Sequence, residues 1–208
     1  MSAKTKKKNL WPELEAATDD GRRQRSDRSR RRIIEALFDL ILDGDMSPSA
    51  VSVAKRAGVG LRTVFRHFED MDSIYDEMTE ELMAAVMPKV LAPFETNTWR
   101  DRLAEMVERR AELYEMVFPM RICMTLRYHQ SAFIREQYER DIRLERSTLK
   151  AILPKQISSD RTLFAALEVT VGFPTWRRLR QDQNLSVESA KKTILLMLDG
   201  LVSGIDAT

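Results

Sequence analysis

Along most of the chain, apolar residues recur at helical rather than strand spacing. Ile33, Leu37, Leu40 and Ile41, joined by Ile34 and Phe38, form one stripe. It predicts a helix over about 27–43, with Ser26 or Asp27 as N-cap and Gly44 just past its end. A short helix follows over Ala50–Ala57, capped either by Ser47 with Pro48 in its first turn or by Ser49. Gly58-Val59-Gly60 interrupts, and residues 61–68 form a second short helix. An acidic, Met-rich helix over 71–87 is expected to stop at Pro88. Trp99, Leu103, Met106, Val107, Leu113, Tyr114 and Val117 mark a helix over 97–118 that Asn97 or Thr98 caps and Pro119 breaks. A short helix at 120–128 follows. The next, over 131–153, carries acid-to-base pairs such as Glu136/Arg140 and Glu139/Arg143 and ends at Pro154. Residues 160–180 read as helical with a break at Gly172 to Pro174, and the last helix begins after Ser186. No useful alternating run is present, so the pattern predicts an all-α protein.

Composition narrows the class. Seven Gly and seven Pro in 208 residues, with 32% charged and 43% apolar positions, exclude collagen-like and disordered chains. The single Cys123 cannot close an intrachain disulfide, which suits a reducing compartment. Residues 1–9 are charged and precede no apolar signal core, and the longest apolar runs, such as residues 194–198, fall far below the ~18 residues of a membrane span. The expectation is a soluble cytoplasmic protein with no membrane partner. A formal charge of +2 conceals an asymmetry: residues 1–66 hold fifteen basic and nine acidic side chains, net +6, which leaves −4 for the remainder. A basic first third favours a polyanionic partner. Residues 1–25, with four Lys and three Arg but no periodicity, read as a flexible basic arm.

The informative stretch is residues 47–74. Two short helices joined by a Gly-centred turn make a helix-turn-helix. Ala54 is small where the helices cross, and Gly58 supplies a positive φ without a Cβ penalty. Val53, Ala57, Val59 and Val64 are the apolar residues between the two helices. The run Val53-Ala54-x-x-Ala57-Gly58-Val59-x-x-x-Thr63-Val64-Phe65-x-His67-Phe68 resembles the DNA-binding domain of the TetR (tetracycline repressor) family of transcriptional regulators. The flanking helices and a length of about 200 residues fit, as does the junction Trp176-Arg177-Arg178-Leu179-Arg180 with Asn184-Leu185-Ser186-Val187-Glu188. The resemblance covers residues 27–80 by motif and the remainder by architecture.

Carried over, it implies that residues 61–68 are the recognition helix, with Gly60, Leu61 and Arg62 facing base edges. Arg62 suits the O6 and N7 of guanine. Thr63 would bond a phosphate, with Phe65, Arg66 and His67 close to the backbone and Lys55 and Arg56 adding contacts from the preceding helix. Arg30 and Arg31, in an Arg-rich segment, are further candidates for the DNA backbone or minor groove. Three positions depart from the family: Phe65 replaces a Tyr, Met71 replaces a Lys, and Gly60 replaces a Ser that would cap the helix. Each departure weakens phosphate binding.

The resemblance divides the chain into the arm (1–25), a DNA-binding domain (26–70) and a helical effector-binding and dimerisation domain (71–208). Eight of the eleven Met lie between 71 and 124, which suits either an ordinary core or an adaptable ligand cavity. Candidate pocket residues are Trp99, Met106, Tyr114, Phe118, Cys123, Met124, Tyr128, His129 and Phe133. Candidate dimer residues are Leu167, Val171, Trp176, Leu179, Ile194, Leu198 and Leu201, which would otherwise close the protomer's own core. Two His, one Cys and no phosphate loop, metal-spacing cluster or nucleophile motif argue against an enzyme and against a cofactor. The expected function is a dimeric repressor, bound to a palindromic double-stranded operator and released by a small-molecule effector. The alternative is a DNA-binding protein of the same fold without an effector, acting architecturally or through a protein partner.

Overall fold

The computed structural model describes residues 21–205, with side chains from Arg25 onward. The expectation of a flexible arm at residues 1–20 lies outside the described residues. Residues 21–25, expected within the arm, instead open the first helix. Among the described residues there are ten α-helices and no strand. They are α1 Gly21–Leu42, α2 Ala50–Ala57, α3 Leu61–His67, α4 Met71–Val90 and α5 Trp99–Arg127. The chain continues with α6 Ala132–Ile152, α7 Lys155–Ser159, α8 Arg161–Val171 and α9 Phe173–Arg177. One π-helical turn, Arg178–Asp182, precedes α10 Val187–Val202. None of the described helices is long and apolar enough to cross a membrane.

Two compact units share the chain. The first comprises the described residues of Met1–Pro88 with Pro119–Tyr138. The second comprises those of Lys89–Phe118 with Glu139–Thr208. This differs from a boundary at residue 70, because α4 is tied to both α1 and the segment after Pro119. Arg30 on α1 bonds Glu77 at 2.8 Å, and Ser131 Oγ donates to Asp72 at 2.6 Å. Tyr75, fully buried, puts its hydroxyl 3.6 Å from Cys123 Sγ, which also donates to the Met46 carbonyl at 3.3 Å. Burial pushes both the Tyr75 hydroxyl and the Cys123 thiol up from their usual values.

In the first unit, the predicted stripe of α1 becomes core: Ile33, Ile34, Leu37, Phe38 and Ile41 are all buried, and α1 packs on α2 and α3. In the second unit, α8 to α10 close around Leu167, Val171, Phe173, Trp176, Leu179, Ile194 and Leu198. Arg110 is buried there with its guanidinium on the carbonyls of Val171 and Glu145 and on Thr148 Oγ1, so its donors are satisfied inside the fold.

Two prolines behave otherwise than expected. α4 continues through Pro88 to Val90 and α5 through Pro119 to Arg127. Pro88 sits in a last turn, and Ala84, four residues before it, is exposed, so water can take the acceptor that lost its N–H. At Pro119 the lost bond and ring clash cost ~3 kcal/mol. Burial of Met120, Cys123 and Met124 in the following turn offsets this.

Candidate nucleic-acid interface

The helix-turn-helix is set by three local devices. Ser49, not Ser47, is the N-cap of α2: its Oγ accepts from the Ser52 N–H at 3.1 Å while Ser52 Oγ accepts from the Ser49 N–H at 2.9 Å. This reciprocal box satisfies two N-terminal donors at once. At the far end Gly58 adopts φ +64°. Its N–H donates to Lys55 O at 3.2 Å and the Val59 N–H to Ala54 O at 3.0 Å, a Schellman closure. A Cβ on Gly58 would lie 2.9 Å from an Arg32 guanidinium nitrogen, the far end of a flexible side chain, so the positive φ rather than space is what calls for Gly. The third device is apolar: Val53, Ala54, Ala57 and Val64 are buried between the helices.

These devices present α3 with a definite inner and outer side. Val64 and Phe68, four residues apart, are buried. Leu61, Arg62, Phe65 and Arg66 are exposed. Thr63 and His67 are half-buried on the flanks. Gly60 caps α3 without a side-chain bond, as its replacement of Ser implied.

The basic residues separate into two groups. Among the described residues, the side chains of Lys55, Arg62 and Arg66 have no hydrogen-bond or ion-pair partner and are exposed. Arg56, Arg31 and Arg30 are engaged within the fold. Arg56 pairs with Asp43 at 2.8 Å and Arg31 with Glu35 at 3.2 Å. Arg30 is committed furthest: Nε lies 2.7 Å from Glu77 Oε2, Nη1 donates to the His67 carbonyl at 2.7 Å, and the guanidinium stands 4.5 Å over the Phe68 ring. Arg30 therefore ties α1 to the C-terminal end of α3 and to α4. Nothing in the sequence marks Glu77, 47 residues away, as its partner. His67 Nε2 is buried without a hydrogen-bond partner. Burial first, then the charges of Arg66 and Arg30, hold its pKa below the usual histidine value.

The other predicted residues fall as follows. Trp99, Met106, Tyr114 and Phe118 belong to the second unit, and Cys123, Met124, Tyr128, His129 and Phe133 to the first. The Tyr114 hydroxyl donates to Val171 O at 3.2 Å, and its ring meets Phe173 edge-on at 5.4 Å. Trp99 packs under Arg100 at 4.5 Å, whereas His129 is exposed beside Tyr128. Of the dimer candidates, Leu167, Val171, Trp176, Leu179, Ile194 and Leu198 are buried in their own protomer and Leu201 is half-exposed. The apolar side chains that α8 and α10 turn outward are different ones. Val169 is 68% and Leu196 73% exposed, and a shallow groove of about 600 Å³ is lined by Ala165, Ala166, Val169, Thr170, Met197, Gly200 and Leu201. Among the described residues no group of His, Cys, Asp and Glu is arranged to hold a metal ion.

No family profile and no curated protein matches the chain. A solved structure of a transcriptional regulator from Rhodococcus sp. Rha1 does, with a TM-score of 0.69 and 19% identity. The alignment covers 86% of this chain and 99% of that one. The likeness establishes that the two chains share an all-α fold.

Proposed function

We propose that the chain is a sequence-specific DNA-binding transcriptional regulator of the TetR type, acting as a homodimeric repressor. The observation that carries the reading is the outer side of α3, where Arg62 and Arg66 stand exposed without counter-ions among the described residues, as does Lys55 on α2. An unpaired guanidinium on a helix whose opposite side is buried suits major-groove readout. The shared fold with a transcriptional regulator supports the same reading. Two-fold operators require two copies of α3 about one helical turn apart, roughly 34–36 Å. The apolar strip of Ala165, Ala166, Val169, Met197, Gly200 and Leu201, with Leu196, is the surface on which a second copy would pair α8 and α10 into a four-helix interface. A small-molecule effector bound within residues 71–208 would release the operator by favouring a conformation with the wrong half-site spacing.

Selection of bound duplexes from a random pool tests the proposal. The expected product is a palindrome with half-sites about one turn apart, and Arg62→Ala should lose its preference at one base pair per half-site. A pool that enriches no sequence, or an Arg62→Ala protein with unchanged preference, would overturn it.

A further inference from the structure

We propose that Leu61 and Phe65 read the 5-methyl groups of thymine, so that each half-site contains T·A pairs whose methyls are part of the recognised surface. The inference rests on α3 being the DNA-reading helix. Leu61 is 40% and Phe65 51% exposed, although both are large apolar residues in a helix of seven. They lie one turn apart on one side, beside Arg62 and Arg66, also one turn apart. The core has no use for them, since Val64 and Phe68 already fill the inner side. The outer side therefore carries an apolar pair next to a cationic pair.

That combination selects the occupant. An apolar surface alone would suit a protein or a lipid, but here it is edged by two arginines and Lys55 without counter-ions among the described residues, which calls for a polyanion. Leu and Phe side chains have no hydrogen-bonding atoms, so they cannot distinguish the N and O positions of base edges. The one apolar group that a base pair displays in the major groove is the thymine methyl. Leu61 and Phe65 can extract sequence information from that group alone. Arg62 supplies the complementary hydrogen-bond readout at guanine. Phe65 in place of Tyr fits this division, because the missing hydroxyl removes a phosphate contact while the ring keeps its apolar contact.

The test uses the full chain and the best duplex from random selection. Each thymine is replaced in turn by deoxyuridine, which removes one methyl and leaves every hydrogen-bonding atom in place. Affinity is read by fluorescence anisotropy at fixed salt. Loss of one buried methyl predicts about a fourfold weaker Kd at one or two positions per half-site. The penalty should vanish at one such position in Leu61→Ala and at another in Phe65→Ala. Both are surface changes, and matched thermal melts would establish that the variants are folded. Uniform tolerance of deoxyuridine, or penalties that persist in both variants, would overturn methyl readout while Arg62-dependent binding still stood. Unchanged duplex affinity in both variants would also overturn it and assign the apolar pair to a protein partner. Failure to bind any duplex would overturn this inference together with the function on which it rests.

Discussion

Arg30→Ala separates a strut from a DNA contact. Arg30 makes a two-pronged ionic hydrogen bond to Glu77, donates to the His67 carbonyl and covers Phe68. Its side chain is 42% exposed and that of Glu77 26%, so solvent screening brings the Arg30–Glu77 coupling to about 1 kcal/mol. The bond to the His67 carbonyl adds about 1 kcal/mol and the ring contact about 0.5–1 kcal/mol. Arg30→Ala should therefore destabilise the chain by about 2.5–3 kcal/mol. Glu77→Gln, which keeps an acceptor, should cost about 1 kcal/mol. The assay is urea unfolding at fixed protein concentration and ionic strength, run as a cycle of wild type, both single variants and the double variant. Duplex affinity measured against salt completes it. A phosphate contact at Arg30 would instead leave stability unchanged and make the logarithmic salt slope shallower by about one. Stability of Arg30→Ala within 0.5 kcal/mol of wild type, together with that shallower slope, would refute the strut.

Four further outcomes follow from the geometry. Gly58→Ala forces a Cβ into the left-handed region at φ +64° and should cost about 1–2 kcal/mol by thermal unfolding, more than Gly58→Asn. His67 has a folded-state pKa below its unfolded value, so the unfolded chain binds the extra proton first and stability should fall as pH drops below about 6.5. His67→Gln should flatten that dependence, and an unchanged pH profile would count against it. Burial works to raise the Glu105 carboxyl, but Thr96 Oγ1, the N–H groups of Glu95 and Thr96, and Arg109 outweigh it and hold the pKa down at about 2. The stabilisation is full above the unfolded value and lost as pH falls from about 4.5 towards 2; Glu105→Ala should speed amide exchange at Glu95 and Thr96. In the dimer proposed above, Val169→Glu with Leu196→Glu should halve the mass seen by sedimentation while leaving helicity intact, since both side chains are exposed in the protomer; an unchanged mass would refute that interface.

The helix-turn-helix was legible because its determinants are local. Gly58 four residues after Ala54, with a seven-residue helix to follow, specifies a left-handed turn whatever surrounds it, and φ +64° is what the structure has. The outward position of Arg62 also follows from local periodicity, once Val64 and Phe68 are placed inside. The engagement of Arg30 with Glu77 was not legible, because composition makes every arginine before residue 33 look alike. Availability depends on counter-ions, and Glu77 lies 47 residues away in the acidic helix α4. Met106 and Tyr114 illustrate a further limit. Their apolar periodicity correctly marks burial, but whether a buried residue faces a ligand or a neighbour is not encoded in spacing.

The prolines make the same distinction at the level of secondary structure. Local sterics disfavour a helix through Pro119, yet burial on the turn that follows exceeds the ~3 kcal/mol penalty and α5 runs on. By itself, then, the sequence determined what is set within about one turn of the chain: helical periodicity, the Ser49 or Ser47 cap choice, the Gly58 turn and the charge split between +6 and −4. Only the tertiary structure carried α4 and α5 through their prolines and divided the arginines into those paired within the fold and those without a partner among the described residues. It also turned Val169 and Leu196 outward in place of Leu167 and Ile194. The reason is physical: periodicity and capping energies act between neighbours in sequence, whereas ion pairing and burial depend on which distant groups the packed chain brings within a few ångströms.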